Sequence, residues 1–346
     1  MLHPVILCGG AGERLWPASR PDRPKPFLSL LGQETTFESA LRRAALLPSA
    51  EPVTVVAGRT HERRVREALA GREALSILEP AGRDTAPAMA AAALIIGGRD
   101  PEAVLVFLPS DHFVPDAAVF TAHVAAMADQ ARAGWIALLG LAPNHPSTAY
   151  GYLLPEPDGR DPRRVDRFIE KPDAGRAARL IAEGCLWNAG VFAVRADTLL
   201  AELRRHAPAV VAASEEAVRR RRRVAGTLLL DEAFAEAPAV SFDIAVLEKT
   251  DRAVVEAGAL AWSDLGAWDA VLAASHRDDH GNSAEGDVVL QSASNCLVRA
   301  ADGMTVAVVG ARNLAVIVDQ GAVMVCDLES GHQVRAALDR VSAGGR

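Results

Sequence analysis

Residues 4–27 read PVILCGGAGERLWPASRPDRPKPF, and the reading of the fold starts from this stretch. Pro4 to Cys8 is a short β-branched run that reads as a strand, and it stops at Gly9-Gly10. The loop Gly9-Gly10-Ala11-Gly12-Glu13-Arg14-Leu15 lets main-chain amides approach a phosphate, because glycine carries no Cβ to hold them off. Two common phosphate loops fail on spacing. A dinucleotide fingerprint needs a third glycine where Leu15 stands, and a P-loop needs Gly-Lys-Ser/Thr where Trp16-Pro17-Ala18 stands. The glycines alone are equally consistent with a plain structural turn. The residues downstream are more telling: Arg14 and Lys25 deliver two cations, with prolines stiffening the segment between. A glycine nest with a guanidinium and an ammonium suits a polyphosphate, whose charge is spread over several oxygens.

Working outward, Thr36 to Leu47 has helical spacing, Val53 to Ala57 reads as a strand, and a helix is expected from about Thr60 to Ala70. Leu75 to Leu78 is a third strand, Thr85 to Ile96 a helix, and Ala103 to Leu108 an apolar strand closed by Pro109-Ser110-Asp111-His112. This alternation predicts a Rossmann-like α/β fold with a mostly parallel mixed sheet flanked by helices. Ligands of such sheets collect at the carboxyl ends of the strands, where the glycine loop and Asp111 fall. From Trp135 to Phe192, strand-like pieces (Ile136–Leu141, Gly151–Leu154, Val165–Ile169, Val191–Val194) surround one helix near Ala174–Glu183. Helical spacing returns from Ala196 to about Val224. Its run Arg219–Arg223 reads as a solvated helix face, with an anion patch as the alternative. After Ala273 the breaker-rich stretch His276 to Ser283 marks a boundary. Beyond it lie short strands (287–290, 295–299, 305–309, 314–319, 322–326) and a closing helix from about Gly331 to Val341. Two domains are expected, 1–275 and a small β-rich 284–346.

The 346 residues are 50% hydrophobic and 23% charged, enough for a sizeable core, and the net charge of −7 provides no global positive field for nucleic acid or anionic lipid. No apolar stretch approaches the ~20 residues of a membrane span. Cys8, Cys185, Cys296 and Cys326 are isolated, as in reduced core positions of a cytoplasmic protein. The amino end lacks the pattern of a signal peptide. Among 37 basic residues only Lys25, Lys171 and Lys249 are lysines.

Gly9 to Phe27 resembles the signature of sugar-1-phosphate nucleotidyltransferases, and its RLWPxSR portion is similar to the mannose-1-phosphate guanylyltransferase (GDP-mannose pyrophosphorylase) branch. Further resemblances lie in Leu78-Glu79-Pro80 with Arg83-Asp84-Thr85-Ala86-Pro87-Ala88, in Leu108–His112 and in Phe168-Ile169-Glu170-Lys171-Pro172. Trp187–Phe192, Ser241–Lys249 and Trp262-Ser263-Asp264-Leu265-Gly266-Ala267-Trp268 continue the series in the family's order over roughly residues 1–275. The resemblance implies a nucleotidyltransferase (GT-A-like) fold with a short β-helical tail, used for packing or for homodimer contacts. A C-terminal isomerase domain, carried by some bifunctional relatives, is not expected, because the tail is short and lacks a His/Glu cluster.

The implied reaction is attack by the phosphate of mannose 1-phosphate on the α-phosphorus of GTP, giving GDP-mannose and pyrophosphate. The nucleophile is already an anion, so the catalyst has to align two polyanions and neutralise charge. By this resemblance Arg14 pairs with the leaving phosphates, Lys25 with the transferred phosphoryl group, and Asp111 and Asp264 hold Mg²⁺. Leu7, Gly9, Gly10, Gly12, Glu79, Arg83 and Thr85 are the expected nucleotide contacts. Glu79 would meet guanine through its side chain or backbone, and Arg83 would bind O6 or a phosphate. Gly151, Glu170, Lys171 and Asn188 are the expected sugar-phosphate contacts. Lys249 either orders the site or contacts phosphate. The chain departs from the usual pattern at Pro26, Asp84, Ala189 and Val191, which bears on base and sugar selectivity. The alternatives are a related enzyme with another base or sugar, and a non-catalytic nucleotide-sugar-binding regulator.

Overall fold

In the computed structural model, which describes residues 1–157, 162–301 and 303–342, the chain divides into two units. The first comprises Met1–Gly9, Ala40–Ser110 and Val114–Trp262; the second comprises Gly10–Ser39, Asp111–Phe113 and Ser263–Arg346. The last four residues of the expected 284–346 range lie outside the described residues.

The first half of the chain runs β1 (Leu2–Cys8), α1 (Thr36–Ala45), β2 (Val53–Gly58), α2 (Glu62–Ala68), β3 (Ala74–Glu79), α3 (Thr85–Gly97), β4 (Val104–Pro109), α4 (Ala117–Arg132) and β5 (Ile136–Leu141). It continues through β6 (Tyr152–Pro155), β7 (Arg163–Ile169), α5 (Ala174–Ala182), β8 (Leu186–Arg195), α6 (Ala196–His206), α7 (Pro208–Arg219), β9 (Arg222–Val224), β10 (Thr227–Leu229) and β11 (Ala253–Gly258). All eleven strands form one sheet in the first unit, ordered β5-β11-β7-β6-β8-β4-β1-β2-β3-β10-β9. The βαβ rhythm of the sequence produces the parallel stretch β4-β1-β2-β3-β10.

The sheet is mixed, as expected, but its parallel pairing is confined to β4-β1-β2-β3-β10 and β5-β11 rather than predominating. β8 runs antiparallel to β4, β5 and β6, and β7 runs antiparallel to β6 and β11. At the β9–β10 edge the physical reason is connection length. β9 and β10 are joined only by Ala225-Gly226, too short for the crossover a parallel pair requires, and they pair antiparallel.

The expected helix from Ala196 to Val224 is also corrected. It breaks between α6 and α7 at Pro208, which lacks the N–H to continue α6 and starts α7 instead. Its last residues, Arg222 to Val224, are strand β9. The Arg219–Arg223 run is therefore divided between a helix end and a strand, and Arg219 pairs with Glu216 at 2.6 Å. Helix α4 was not anticipated. Phe120, Val124, Met127, Ala128 and Ala131 are its buried stripe, and the Asp116 carboxylate caps it by accepting from the Ala118 and Val119 amides at 3.0 Å.

Helix α3 is apolar on every face and nearly all buried, as a helix enclosed by its own unit must be. Its residues share one core with Val5, Val56, Ile77, Leu105 and Phe107 of the sheet and with Leu199, Leu203, Val210 and Val211 of α6 and α7.

The second unit contains α8 (Trp268–Ala274), β12 (Ser283–Glu285), β13 (Asp287–Gln291), β14 (Leu297–Ala300), β15 (Thr305–Val309), β16 (Leu314–Asp319), β17 (Ala322–Asp327) and α9 (Val334–Ser342). β12-β14-β16-β17 form one sheet and β13-β15 another; β12-β14-β16 and β13-β15 pair in parallel, and β17 returns antiparallel on β16. The glycine-loop segment packs here: Leu15, Ala18, Leu28 and Leu30 share a core with Trp268, Leu297, Ile317 and Met324. Arg299 donates to the Ser29 carbonyl at 2.8 Å, and Arg23 pairs with Asp319 at 3.2 Å.

Candidate active site

The expected site residues fall into two groups, one in each unit. In the second unit, Gly12 sits in the left-handed region at φ +66°, and a Cβ there would lie 2.5 Å from the Lys25 Cβ. Only glycine gives both the turn and the approach. The turn leads through Glu13–Leu15 to a second short helical turn at Lys25–Phe27, which holds Lys25 at 6% exposure.

The Lys25 ammonium donates to Asp111 Oδ2 at 2.7 Å and to the main-chain oxygen of Asp264. These two acceptors come from segments far apart in sequence. Phe113 and Ser263 form an antiparallel bridge, with N···O distances of 2.8 and 3.1 Å, and this lays the two segments side by side. Burial alone would push the Asp111 carboxyl up, but the Lys25 charge and hydrogen bond, with His112, hold it below the ordinary carboxylate range.

Asp264 Oδ1 accepts from the Gly266 amide at 3.1 Å. A side chain at Gly266 would begin 2.5 Å from Asp264 Oδ2 and 3.1 Å from Arg14 Nη2, so this glycine leaves room for both groups. A Cβ at Gly10, which adopts φ +98°, would lie 3.9 Å from Asp111 Oδ2. Arg14, Lys25, Asp111 and Asp264, expected from three separate motifs, thus lie around one point of the second unit.

The remaining expected residues lie in the first unit, except Gly10 and Gly12. Leu7 is on β1, between β2 and β4, and its carbonyl accepts from the Ser110 amide at 3.3 Å. Gly9 follows the strand, and a Cβ there would meet nothing within 4 Å. Glu79 ends β3 at 8% exposure, and its Oε1 is a buried acceptor with no hydrogen-bond partner among the described residues. Burial pushes its carboxyl up to about 8. Arg83 donates through Nε to the Ala235 carbonyl at 2.7 Å. Asp84 adopts φ +67° and caps the Thr85 amide at 2.7 Å, while the Thr85 hydroxyl accepts from the Phe242 amide at 2.8 Å. Arg83 and Thr85 are thereby committed to holding the 235–242 segment.

The sugar-phosphate candidates converge. The Gly151 carbonyl accepts from the Asn188 amide N–H at 2.8 Å, and the position a Gly151 side chain would occupy faces the Phe168 ring and, at 2.9 Å, Glu170 Oε2. The rings of Tyr150, Trp187 and Trp262 pack edge to face beside them, and the Tyr152 hydroxyl is tied to Ser147. Lys171, at φ +41°, donates to Glu170 Oε1 at 2.6 Å. Partial burial would lower the Lys171 ammonium, but the Glu170 hydrogen bond and charge, with Asp243 and Asp84, raise it.

Asn188 Nδ2 donates to Asp243 Oδ1 at 2.9 Å. Asp243 was not singled out from the sequence, although it is the carboxylate inside the otherwise apolar Phe242–Leu247, which is a signal of its own. Burial, then the nearby Glu170 charge, push its carboxyl up to about 7. Lys249, left open between two roles, donates to the Ala245 carbonyl at 3.2 Å and so closes the π-helical turn Asp243–Leu247.

Among the described residues there is no cluster of three or more His, Cys, Asp or Glu able to hold a metal on its own, and no helix is long and apolar enough to cross a membrane. Comparisons with known proteins agree with one another. The chain is 36% identical to the alginate biosynthesis protein AlgA of Pseudomonas fluorescens over 351 residues, covering 99% of this chain and 72% of that protein. It is 36% identical to a mannose-1-phosphate guanylyltransferase of Klebsiella pneumoniae, covering 98% of this chain and 74% of that protein. The crystal structure of mannose-1-phosphate geranyltransferase from Thermus thermophilus superposes with a TM-score of 0.86 at 34% identity, covering 99% of each chain. The nucleotidyl transferase family model matches residues 3–281. With mixed sheet, helices and motif order all in agreement, the chain belongs to the nucleotidyl transferase family.

Proposed function

We propose that this chain transfers GMP from GTP to α-D-mannose 1-phosphate, releasing pyrophosphate and forming GDP-mannose, the reaction of a mannose-1-phosphate guanylyltransferase. The observation that carries this reading is the Lys25 ammonium, held at 2.7 Å on Asp111 and bonded to the Asp264 main chain, with Arg14 alongside. That group suits a transferred phosphoryl flanked by a leaving polyphosphate. Lys25 neutralises the phosphoryl group, Arg14 takes the charge of the departing pyrophosphate, and the Gly9–Gly12 amides line the phosphates. No covalent intermediate is required, since the sugar phosphate attacks the α-phosphorus directly.

The donor set at Asp111 and Asp264 fits Mg²⁺: two carboxylates supply hard oxygens, and a hexacoordinate ion that keeps phosphate and water ligands needs no larger protein cluster. Those two side chains would hold the ion, and its charge would offset that of the α-phosphate. In the first unit Glu79, whose buried Oε1 lacks a partner, suits the N1–H and exocyclic amine of guanine. Arg83 and Thr85 shape that subsite through the 235–242 segment. Glu170 and Asn188 suit sugar hydroxyls, Lys171 the sugar phosphate, and Gly151 the close approach of the ring.

In this reading residues 1–275 supply the catalytic machinery. Residues 284–346 form a small β-helix-like domain, supported by the parallel pairing of successive passes, which braces the glycine-loop segment and serves homodimer contacts. The protein works in the cytoplasm on soluble substrates. The test is a pyrophosphate-release panel crossing four nucleoside triphosphates with several sugar 1-phosphates. GTP with mannose 1-phosphate should dominate; a preference for UTP or dTTP would refute the guanylyl assignment, and no turnover with any pair would refute the enzyme.

A further inference from the structure

Asp243 is a carboxyl group of the sugar-phosphate cluster to which the reaction above gives no task. An amide such as Asn188 is nearly symmetric in shape, yet its two ends offer opposite chemistry, so a half-turn would exchange a donor for an acceptor in front of the sugar. In the structure both ends are committed. Nδ2 donates to Asp243 Oδ1 at 2.9 Å, and Oδ1 accepts from the Gly190 amide at 3.1 Å. One N–H and one lone pair are left over.

Asp243 is itself anchored on both sides. The Phe242 amide before it donates to Thr85, and the π-helical turn that begins at Asp243 is closed by Lys249 on the Ala245 carbonyl. Turns of this kind are rare and concentrate at functional sites. The charged groups that act on Asp243 are Glu170, Lys171 and Asp84.

We propose that Asp243 is a positioning residue for the sugar subsite: it clamps the Asn188 amide and thereby fixes which donor and which acceptor face the sugar hydroxyls. The inference rests on the assignment of Asn188 to the sugar. A second consequence comes from charge. Ionised Asp243 draws Lys171 and repels Glu170, so the ammonium is less available to a phosphate once Asp243 has lost its proton. Burial and the Glu170 charge place that loss near neutrality, at about 7.

The experiment measures kcat and both KM values across pH 6–9 for wild type, Asp243→Ala and Asp243→Asn, with melting temperatures recorded in parallel. Asp243→Ala should raise KM for mannose 1-phosphate about 10-fold or more, leaving KM for GTP within about 2-fold, as loss of one buried hydrogen bond at one subsite requires. Asp243→Asn keeps an acceptor for Asn188 Nδ2 and should recover KM to within about 3-fold of wild type. It should also remove the part of the wild-type rise in KM above pH 7 that belongs to the protein rather than to the titrating substrate.

A matched loss in both KM values, or no rescue by Asn at normal melting temperature, would overturn the proposal in favour of a purely structural role. If Asp243→Ala does not fold, the Asn variant decides alone: an unchanged pH profile overturns the proposal. An active wild type with insensitive variants sinks only this inference, whereas a wild type inactive on mannose 1-phosphate sinks the assignment of the sugar subsite as well.

Discussion

Lys25→Met removes one charge from the second unit while keeping nearly the same side-chain volume, and its effects can be worked out from the pair it leaves behind. The Lys25 and Asp111 side chains are 7% and 20% exposed, with 2.7 Å between Nζ and Oδ2. Deleting one member of a buried pair costs about 3–5 kcal/mol because the other charge is stranded. Asp111 retains some access to water, so a loss of about 2–3 kcal/mol is expected at pH 7.

The pH dependence gives the sharper test. In wild type Lys25 and His112 overcome burial and hold the Asp111 carboxyl low. The pair therefore contributes stability above the unfolded carboxylate value near ~3.9, and that contribution is lost as pH falls through the folded value. In Lys25→Met the burial is opposed only by His112 and a backbone hydrogen bond, and the carboxyl moves up. Stability then declines as pH rises, so the gap between wild type and variant in urea midpoint should widen from pH 4 to pH 7. Asp111→Asn added to Lys25→Met removes the stranded charge and should recover most of the loss. It should not recover turnover, which falls about 10²–10³-fold once the cation at the reacting phosphoryl is gone. A gap that does not vary with pH, or a double variant no more stable than Lys25→Met, would refute the electrostatic reasoning. Wild-type kcat in Lys25→Met would refute the role at the phosphoryl group.

Gly12→Ala would put a Cβ 2.5 Å from the Lys25 Cβ at φ +66°; it should lower the melting temperature and cost about 1–2 kcal/mol from the left-handed backbone alone. Gly9→Ala meets nothing within 4 Å, so its melting temperature should match wild type while KM for GTP rises if the Gly9 backbone approaches the nucleotide. Glu79 holds its proton in the folded state up to about 8, so wild type should lose stability relative to Glu79→Gln as pH rises from about 4.5 to 8, by roughly 2–4 kcal/mol in total; a difference that stays flat over that window in urea unfolding would contradict it. Chelation with EDTA should abolish pyrophosphate release and added Mg²⁺ restore it, with melting temperature nearly unchanged, because no described cluster depends on a metal for its fold.

The parallel half of the sheet was legible because each βαβ step is written locally, as an apolar run, a breaker and a helical stripe. The antiparallel half was not, since β8 owes its partners β4, β5 and β6 to packing between distant segments. Pro208 marked the break between α6 and α7 in plain view, and the continuous helical periodicity around it masked the signal. The same division holds at the site. Motif order named Arg14, Lys25, Asp111 and Asp264 separately, but the Phe113–Ser263 bridge that lays two of those segments together has no local signature. Asp243 went unassigned because its meaning lies in a hydrogen bond to Asn188, 55 residues away.

The scarcity of lysine gains a physical reading from these positions. Lys25 donates to a carboxylate and to a main-chain oxygen on separate segments, and its Cβ abuts the Cα of Gly12. A compact ammonium on a flexible stem satisfies such divergent acceptors. A guanidinium presents its donors in one rigid plane, suited to parallel acceptors of a single carboxylate. Lys171 reaches back from a left-handed backbone to its sequence neighbour Glu170, and Lys249 turns onto a carbonyl four residues earlier. Surface arginines face no such limit: Arg219 forks onto both oxygens of Glu216. At Lys25 one compact donor therefore serves two acceptors on separate segments from a position crowded by Gly12, whereas Lys171 and Lys249 each turn onto one acceptor close in sequence.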